Sequence, residues 1–173
     1  MERKIIKTGD GSDTIHIPEW NEHYHSTHGA IQEAEHVFIK NGLNPIFIKF
    51  PDEQINILEM GFGTGLNAWI TSIESHRLEK IIFYTGIEAF PVSMEMVDKL
   101  NYPDQLNDSK SLFMDLHKST WEVKNQISDH FNLTKIKTFH KKIWSNSSTF
   151  TLQEKKDGWV HLNFRHKAFI LNL

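Results

Sequence analysis

Two acids and three glycines carry the chemistry that can be read from this chain. Ile55-Asn56-Ile57-Leu58-Glu59-Met60 is an apolar run ending beside an acid, and Gly61, Gly63 and Gly65 follow it before Leu66 and Asn67. The pattern reads as a buried strand, a sharp turn and the start of a helix. A β-carbon in that turn would block both the bend and the approach of a ligand, and the helix N-terminus offers unpaired N–H groups near Gly63–Leu66. A dinucleotide fingerprint requires G-x-G-x-x-G, but Leu66 stands where the third glycine would be. Glu59 would repel a pyrophosphate. It suits the cationic amino group of a methionine moiety, either directly or by shaping the loop. Glu88 closes the next apolar run, 23 residues after Gly65. An acid there accepts hydrogen bonds from ribose hydroxyls in dinucleotide and methionine-type cofactors alike. Leu66 and Glu59 together favour S-adenosylmethionine.

Two other clusters carry possible chemistry. His23, His25 and His28 lie beside Glu22, but their spacing is not the i, i+4 pair of a helical zinc site, so no metal is expected. Packing, or contact between His25 or His28 and a substrate base, is the better reading. Lys135, Lys137, His140, Lys141 and Lys142 form a basic run interleaved with Phe139 and Trp144. It fits a solvated alternating strand better than a phosphate-contacting patch.

The elements that position these residues follow from periodicity. Strand-like Lys4–Lys7 and Thr14–Ile17 flank Gly9-Asp10-Gly11-Ser12, which predicts a hairpin, and Trp20–Gly29 reads as an ordered loop. Ile31, Ala34, Val37 and Phe38 share a helical face that Asn41-Gly42 would cap, with a short extended segment at Phe47–Phe50. Leu66, Trp69, Ile70 and Ile73 give the helix after the glycine turn its apolar stripe. Lys80–Glu88 is a second, nearly continuous apolar strand, and Pro91 opens a helix carrying Val92, Met96 and Leu100. This alternation predicts an α/β fold with parallel βαβ units. Asn101–Ser111 reads as loop. Ser119 followed by Glu122 has the capping-box pattern, predicting a helix that buries Val123, Ile127, His130 and Phe131. Strands are expected around Lys135–Trp144 and Ser148–Leu152.

Composition bounds the rest. Of 173 residues, 39% are hydrophobic and 24% charged, as in a globular protein. No apolar run approaches the ~18 residues of a membrane span, so no membrane association is expected. A net charge of −3 argues against a wholly basic nucleic-acid binder. Without cysteine there is no disulfide framework, and a cytoplasmic setting is the simplest expectation.

Four stretches occur in an order that resembles a known family: Tyr24-His25-Ser26-Thr27-His28-Gly29-Ala30-Ile31-Gln32-Glu33, His36-Val37-Phe38, Ile57 to Ala68, and Tyr84-Thr85-Gly86-Ile87-Glu88-Ala89-Phe90-Pro91. Together they are similar to the methyltransferase domain of the tRNA 5-methylaminomethyl-2-thiouridine biosynthesis family (MnmC/MnmD type), in its stand-alone form. The resemblance runs from about residue 4 to about residue 152. It implies a Rossmann-like methyltransferase fold that moves a methyl group from S-adenosylmethionine to the 5-aminomethyl group of the wobble uridine in tRNA. It implies that Glu59, Gly61, Gly63 and Gly65 line the cofactor, that Glu88 holds its ribose, and that Tyr24 and Ser26 cover it. Phe62 and Tyr24 would face the sulfonium through cation–π contact or serve as packing aromatics.

The family continues into an apolar strand ending in an acidic D-[AG]-F-[AS]-P motif, whose aspartate sits beside the methyl donor. Residues 153–173 do not contain it, so the catalytic residue is left open. A truncated or frameshifted gene product is one expectation. The organisation expected is a single domain: an N-terminal addition over 1–50, a core over 51–152 and a non-matching tail over 153–173. The competing readings are a non-catalytic remnant that binds the cofactor or is only structural, and, more weakly, a nucleotide-dependent oxidoreductase. A half-built sheet would leave one apolar edge unpaired, which predicts poor solubility or self-association through it.

Overall fold

The computed structural model describes residues 2–138 and the backbone of three further strands at 151–154, 160–163 and 168–171. The chain opens with the expected hairpin. Strands β1 (Lys4–Lys7) and β2 (Asp13–Ile17) are antiparallel, and a two-residue strand β3 (Glu22–His23) joins β2 from within the predicted loop.

Asp10 ties this hairpin to the first helix. One carboxyl oxygen accepts from the Thr8 hydroxyl and from the Ser12 backbone and hydroxyl, and the other accepts from Gln32 N at 2.9 Å. Burial opposes the charge, but these hydrogen bonds outweigh it and lower the Asp10 pKa to about 2. A depressed carboxylate stabilises the fold above its unfolded pKa and loses that contribution as pH falls. Asp10→Ala is therefore expected to cost about 1–2 kcal/mol at pH 7 by urea denaturation, and the difference should shrink towards pH 2.

The first helix differs from expectation. It begins as α1 (Ala30–Glu33), widens into a π-helical stretch (Ala34–Leu43) and continues as α2 (Asn44–Lys49). Asn41-Gly42 is therefore interior, and Phe47 is helical and buried rather than extended. Pro45 supplies the reason. A proline ring clashes with the carbonyl four residues back in a regular helix, and a wider turn, in which Asn44 N reaches Ile39 O, relieves it.

The core sheet has strand order β10-β4-β5-β7-β6. Its members are β4 (Ile55–Met60), β5 (Ile82–Glu88), β6 (Lys124–Gln126), β7 (Phe131–Lys137) and β10 (Ala168–Leu171), while β8 (Thr151–Glu154) and β9 (Val160–Asn163) form a separate hairpin. β10, β4, β5 and β7 run parallel, and β6 is antiparallel to β7. The β4 edge is thus paired by Ala168–Leu171, which corrects the expectation of an unpaired edge there. Helix α3 (Leu66–Arg77) follows β4 as predicted. Trp69 on α3 packs edge-on against Phe113, Tyr84 on β5 packs against Phe131, and all four are fully buried.

Between β5 and β6 the structure differs from expectation twice. The Pro91 helix is α4 (Met94–Lys99), capped by the Ser93 hydroxyl, so Pro91 precedes it. The stretch read as loop holds α5 (Tyr102–Gln105) and the start of α6 (Lys110–Lys118). Leu112, Phe113 and Leu116 supply the helical spacing, and Ser109 caps the N-terminus. Ser119 ends this helix rather than opening one, and its hydroxyl donates to Leu116 O at 2.8 Å. Glu122 sits at φ 64, its carboxylate accepts from Lys137 N, and Val123 is half exposed. The apolar residues assigned to a capping-box helix therefore belong to the β6–β7 hairpin.

Candidate functional site

The C-terminal ends of β4, β5 and β7 converge on the glycine turn. Gly61 N and Phe62 N both donate to Ile87 O at 2.9 Å, and Gly63 N donates to Glu88 Oε2 at 2.8 Å. The other Glu88 oxygen accepts from Phe90 N at 2.8 Å. One buried carboxylate thus joins the turn after β4 to the chain leaving β5. Gly61 has φ +88, and a β-carbon there would meet nothing within 4 Å, so this side of the turn is open to a ligand. Gly65 also has a positive φ, and a β-carbon on it would lie 2.8 Å from His117 Nε2.

Glu59 lies beneath the turn, 1% exposed. Asn67 Nδ2 donates to its Oε1 at 2.9 Å, which fixes the first turn of α3 to β4. Its Oε2 and the buried Tyr84 hydroxyl have no hydrogen-bond partner, and the two groups interact electrostatically. Burial raises the Glu59 pKa to about 8, against the hydrogen bond from Asn67 and with a small addition from the Glu88 charge.

The N-terminal segment covers the turn. A β-carbon on Gly63 would sit 3.0 Å from the Tyr24 ring, and the Arg3 guanidinium lies 5.7 Å from that ring while donating to Phe90 O and Pro91 O. Ser26 makes its hydrogen bonds to Glu33 and His28 rather than to the turn. The histidines go separate ways. His23 stacks on His16 at 4.5 Å, His28 is exposed, and His25 Nε2 lies 2.7 Å from Thr64 Oγ1. Burial lowers the His25 pKa to about 4, so it is neutral near pH 7.

Phe62 is 4% exposed and packs over Gly86 and against His117. A β-carbon on Gly86 would come within 2.4 Å of the Phe62 ring. Gly86→Ala is therefore expected to displace that ring and cost about 1–3 kcal/mol in thermal or urea unfolding.

Lys135 is the main surprise. It was read as part of a solvated strand, but it is 1% exposed, and its Nζ donates to His117 O at 2.5 Å beneath the Trp121 ring. Lys137 is exposed, as expected, while His140, Lys141, Lys142 and Trp144 lie outside the described residues. Sequence reasoning missed Arg3, Thr64, Asn67, His117 and Trp121. Only Asn67 carried a signal, since it sits one turn into the helix that Glu59 precedes.

No family model matches the chain. Two sequence relatives are bifunctional tRNA 5-methylaminomethyl-2-thiouridine biosynthesis proteins MnmC. That of Delftia acidovorans is 37% identical over 99 residues, and that of Cupriavidus metallidurans is 33% identical over 110. They cover 55% and 60% of this chain. The resemblance is to MnmC proteins. The MnmC-like chain spans only about 15% of the length of these curated relatives. The crystal structure of MNMC2 from Aquifex aeolicus superposes with a TM-score of 0.66 at 21% identity, over 87% of this chain and 47% of that one. The MnmC-like chain therefore has the Rossmann-like α/β fold of that structure. Among the described residues, no helix is long and apolar enough to cross a membrane.

Proposed function

We propose that this domain binds S-adenosylmethionine and serves methyl transfer to an amine, with the 5-aminomethyl group of a wobble uridine in tRNA as the acceptor and cytoplasm as the setting. The observation that carries the reading is the glycine turn held by Glu88. The open side of Gly61 admits a ligand against the backbone, and Glu88 has lone pairs left for ribose hydroxyls beyond its two backbone bonds. When bound, the cofactor supplies an activated methyl group on a sulfonium, so the protein's main task is positioning. Gly61, Gly63 and Gly65 let the backbone approach it, Glu59 and Asn67 hold the helix that starts beneath it, and Tyr24 with Arg3 covers it from the N-terminal side. Phe62 serves as packing under the turn. Leu66, buried at the start of α3, weighs against the oxidoreductase alternative.

An attacking amine must be neutral, and a nearby carboxylate would help to deprotonate it. Glu59 and Glu88 are both committed to the loop, so the catalytic acid or base is not assigned to either. Incubation with undermodified tRNA and methyl-labelled cofactor tests the reading. Methyl incorporation supports it. Cofactor binding without transfer would instead support the non-catalytic alternative for this chain.

A further inference from the structure

Glu59 on β4, Gly86 on β5 and Lys135 on β7 are register partners in one row across the sheet. Gly86 contributes no side chain, and Phe62 fills the gap it leaves, so Glu59 and Lys135 face different spaces. Beside Lys135 lies a cavity of about 140 Å³, lined by Phe62, Gly63, Pro91, Val92, Trp121 and Lys135 among others. Its rim is the chain immediately after Glu88. A base attached to a ribose held at Glu88 would be one glycosidic bond away from it.

Phe62, Pro91, Val92 and Trp121 line the cavity with apolar and aromatic side chains, and Gly63, His117 and Lys135 add polar surface. Lys135 has three N–H hydrogens, and the hydrogen bond to His117 O uses one of them. Among the described residues, no carboxylate pairs with it. Trp121 lies 4.9 Å from Nζ, and the neighbouring His117, its Nε2 3.1 Å from Thr64 O, is kept neutral by burial and by the lysine charge. A phosphate or carboxylate would call for several converging donors. A slot bordered by aromatic rings, with one buried amine facing it, suits a heteroaromatic ring with an acceptor nitrogen. A buried amine without an ionic partner is costly unless something satisfies it.

We propose that Lys135 is a specificity residue for the cofactor's purine base, donating a hydrogen bond to a ring nitrogen while Trp121 and Val92 border the ring. The proposal rests on the adenosyl-cofactor reading above. Burial lowers the Lys135 pKa to about 8, which leaves its donors intact in either protonation state.

Calorimetry with S-adenosylhomocysteine and its 1-deaza, 3-deaza and 7-deaza forms tests it on the unaltered chain and on Lys135→Met. One deaza form should bind about tenfold more weakly to the unaltered chain, and Lys135→Met should bind that form and the parent compound equally. Equal affinity of the unaltered chain for all four compounds overturns the role of Lys135 while leaving the cofactor reading standing. A deaza penalty that persists in Lys135→Met assigns the contact to another group and also overturns it. No binding of S-adenosylhomocysteine or S-adenosylmethionine at all overturns both readings. If Lys135→Met fails to fold, the Lys135 Nζ resonance of the unaltered chain takes its place: it should shift on binding the parent compound and not on binding the weaker deaza form, and no shift with either overturns the contact.

Discussion

Glu88→Ala is expected to weaken S-adenosylmethionine binding by about 100-fold or more. The carboxylate does two things at once. It holds the Gly63 and Phe90 amides in place, and it offers its remaining lone pairs to the ribose. Hydrogen bonds to a charged group contribute about 1.5–3 kcal/mol each, so losing the ribose contacts alone accounts for such a drop. Loosening of the turn adds to it. Glu88→Gln should fall between the two proteins, since an amide has one acceptor oxygen and its NH₂ would confront one of the two backbone N–H donors. Calorimetric titration reads the affinities, and circular dichroism confirms that the variants fold. Unchanged affinity in folded Glu88→Ala would remove Glu88 from the site.

The second large effect is on stability. Glu59→Gln is expected to make the chain more stable than its parent above about pH 5, by a margin that widens up to about pH 8. The folded-state pKa is raised above the unfolded value, from 4.5 to about 8. Such a group stabilises the fold fully below its unfolded pKa and loses that contribution as pH rises through the folded value. The slope for one proton is at most about 1.4 kcal/mol per pH unit. Glutamine keeps the acceptor for Asn67 and offers an N–H towards the Tyr84 hydroxyl, without a charge to bury. Urea midpoints from pH 5 to pH 9 measure the difference. Parallel curves for the two proteins would show that Glu59 is not the titrating group.

The residues around the turn were the most legible part of the chain. Strand, glycines and helix are consecutive, and each type has one dominant use there, so β4, the turn, α3 and β5 could be read locally. The helix through Pro45 could not. Whether a proline stops a helix or is absorbed by a wider turn depends on whether Phe47 finds a core to enter, and that core is made by distant strands. The Ser119 pattern failed for a related reason. The same serine can open a helix or close one, and the apolar face of Leu112, Phe113 and Leu116 upstream decides between them. Lys135 was misread because an alternating strand looks the same whether its lysine faces water or a cavity. The His117 carbonyl on α6 and the Trp121 ring beyond it cover the amine, and tertiary packing sets both. Arg3 reaches the site from beside a hairpin far away in sequence, a juxtaposition with no local signature, whereas Tyr24 was named through the family resemblance.

The turn at Gly61–Gly65 is proposed to hold a methyl donor rather than a dinucleotide. Calorimetric titration of the unaltered chain with S-adenosylmethionine and, separately, with NADH tests this most directly. One S-adenosylmethionine bound per chain is expected, with affinity lost in Glu88→Ala and no heat of binding with NADH. Saturable binding of NADH with none of S-adenosylmethionine would contradict it.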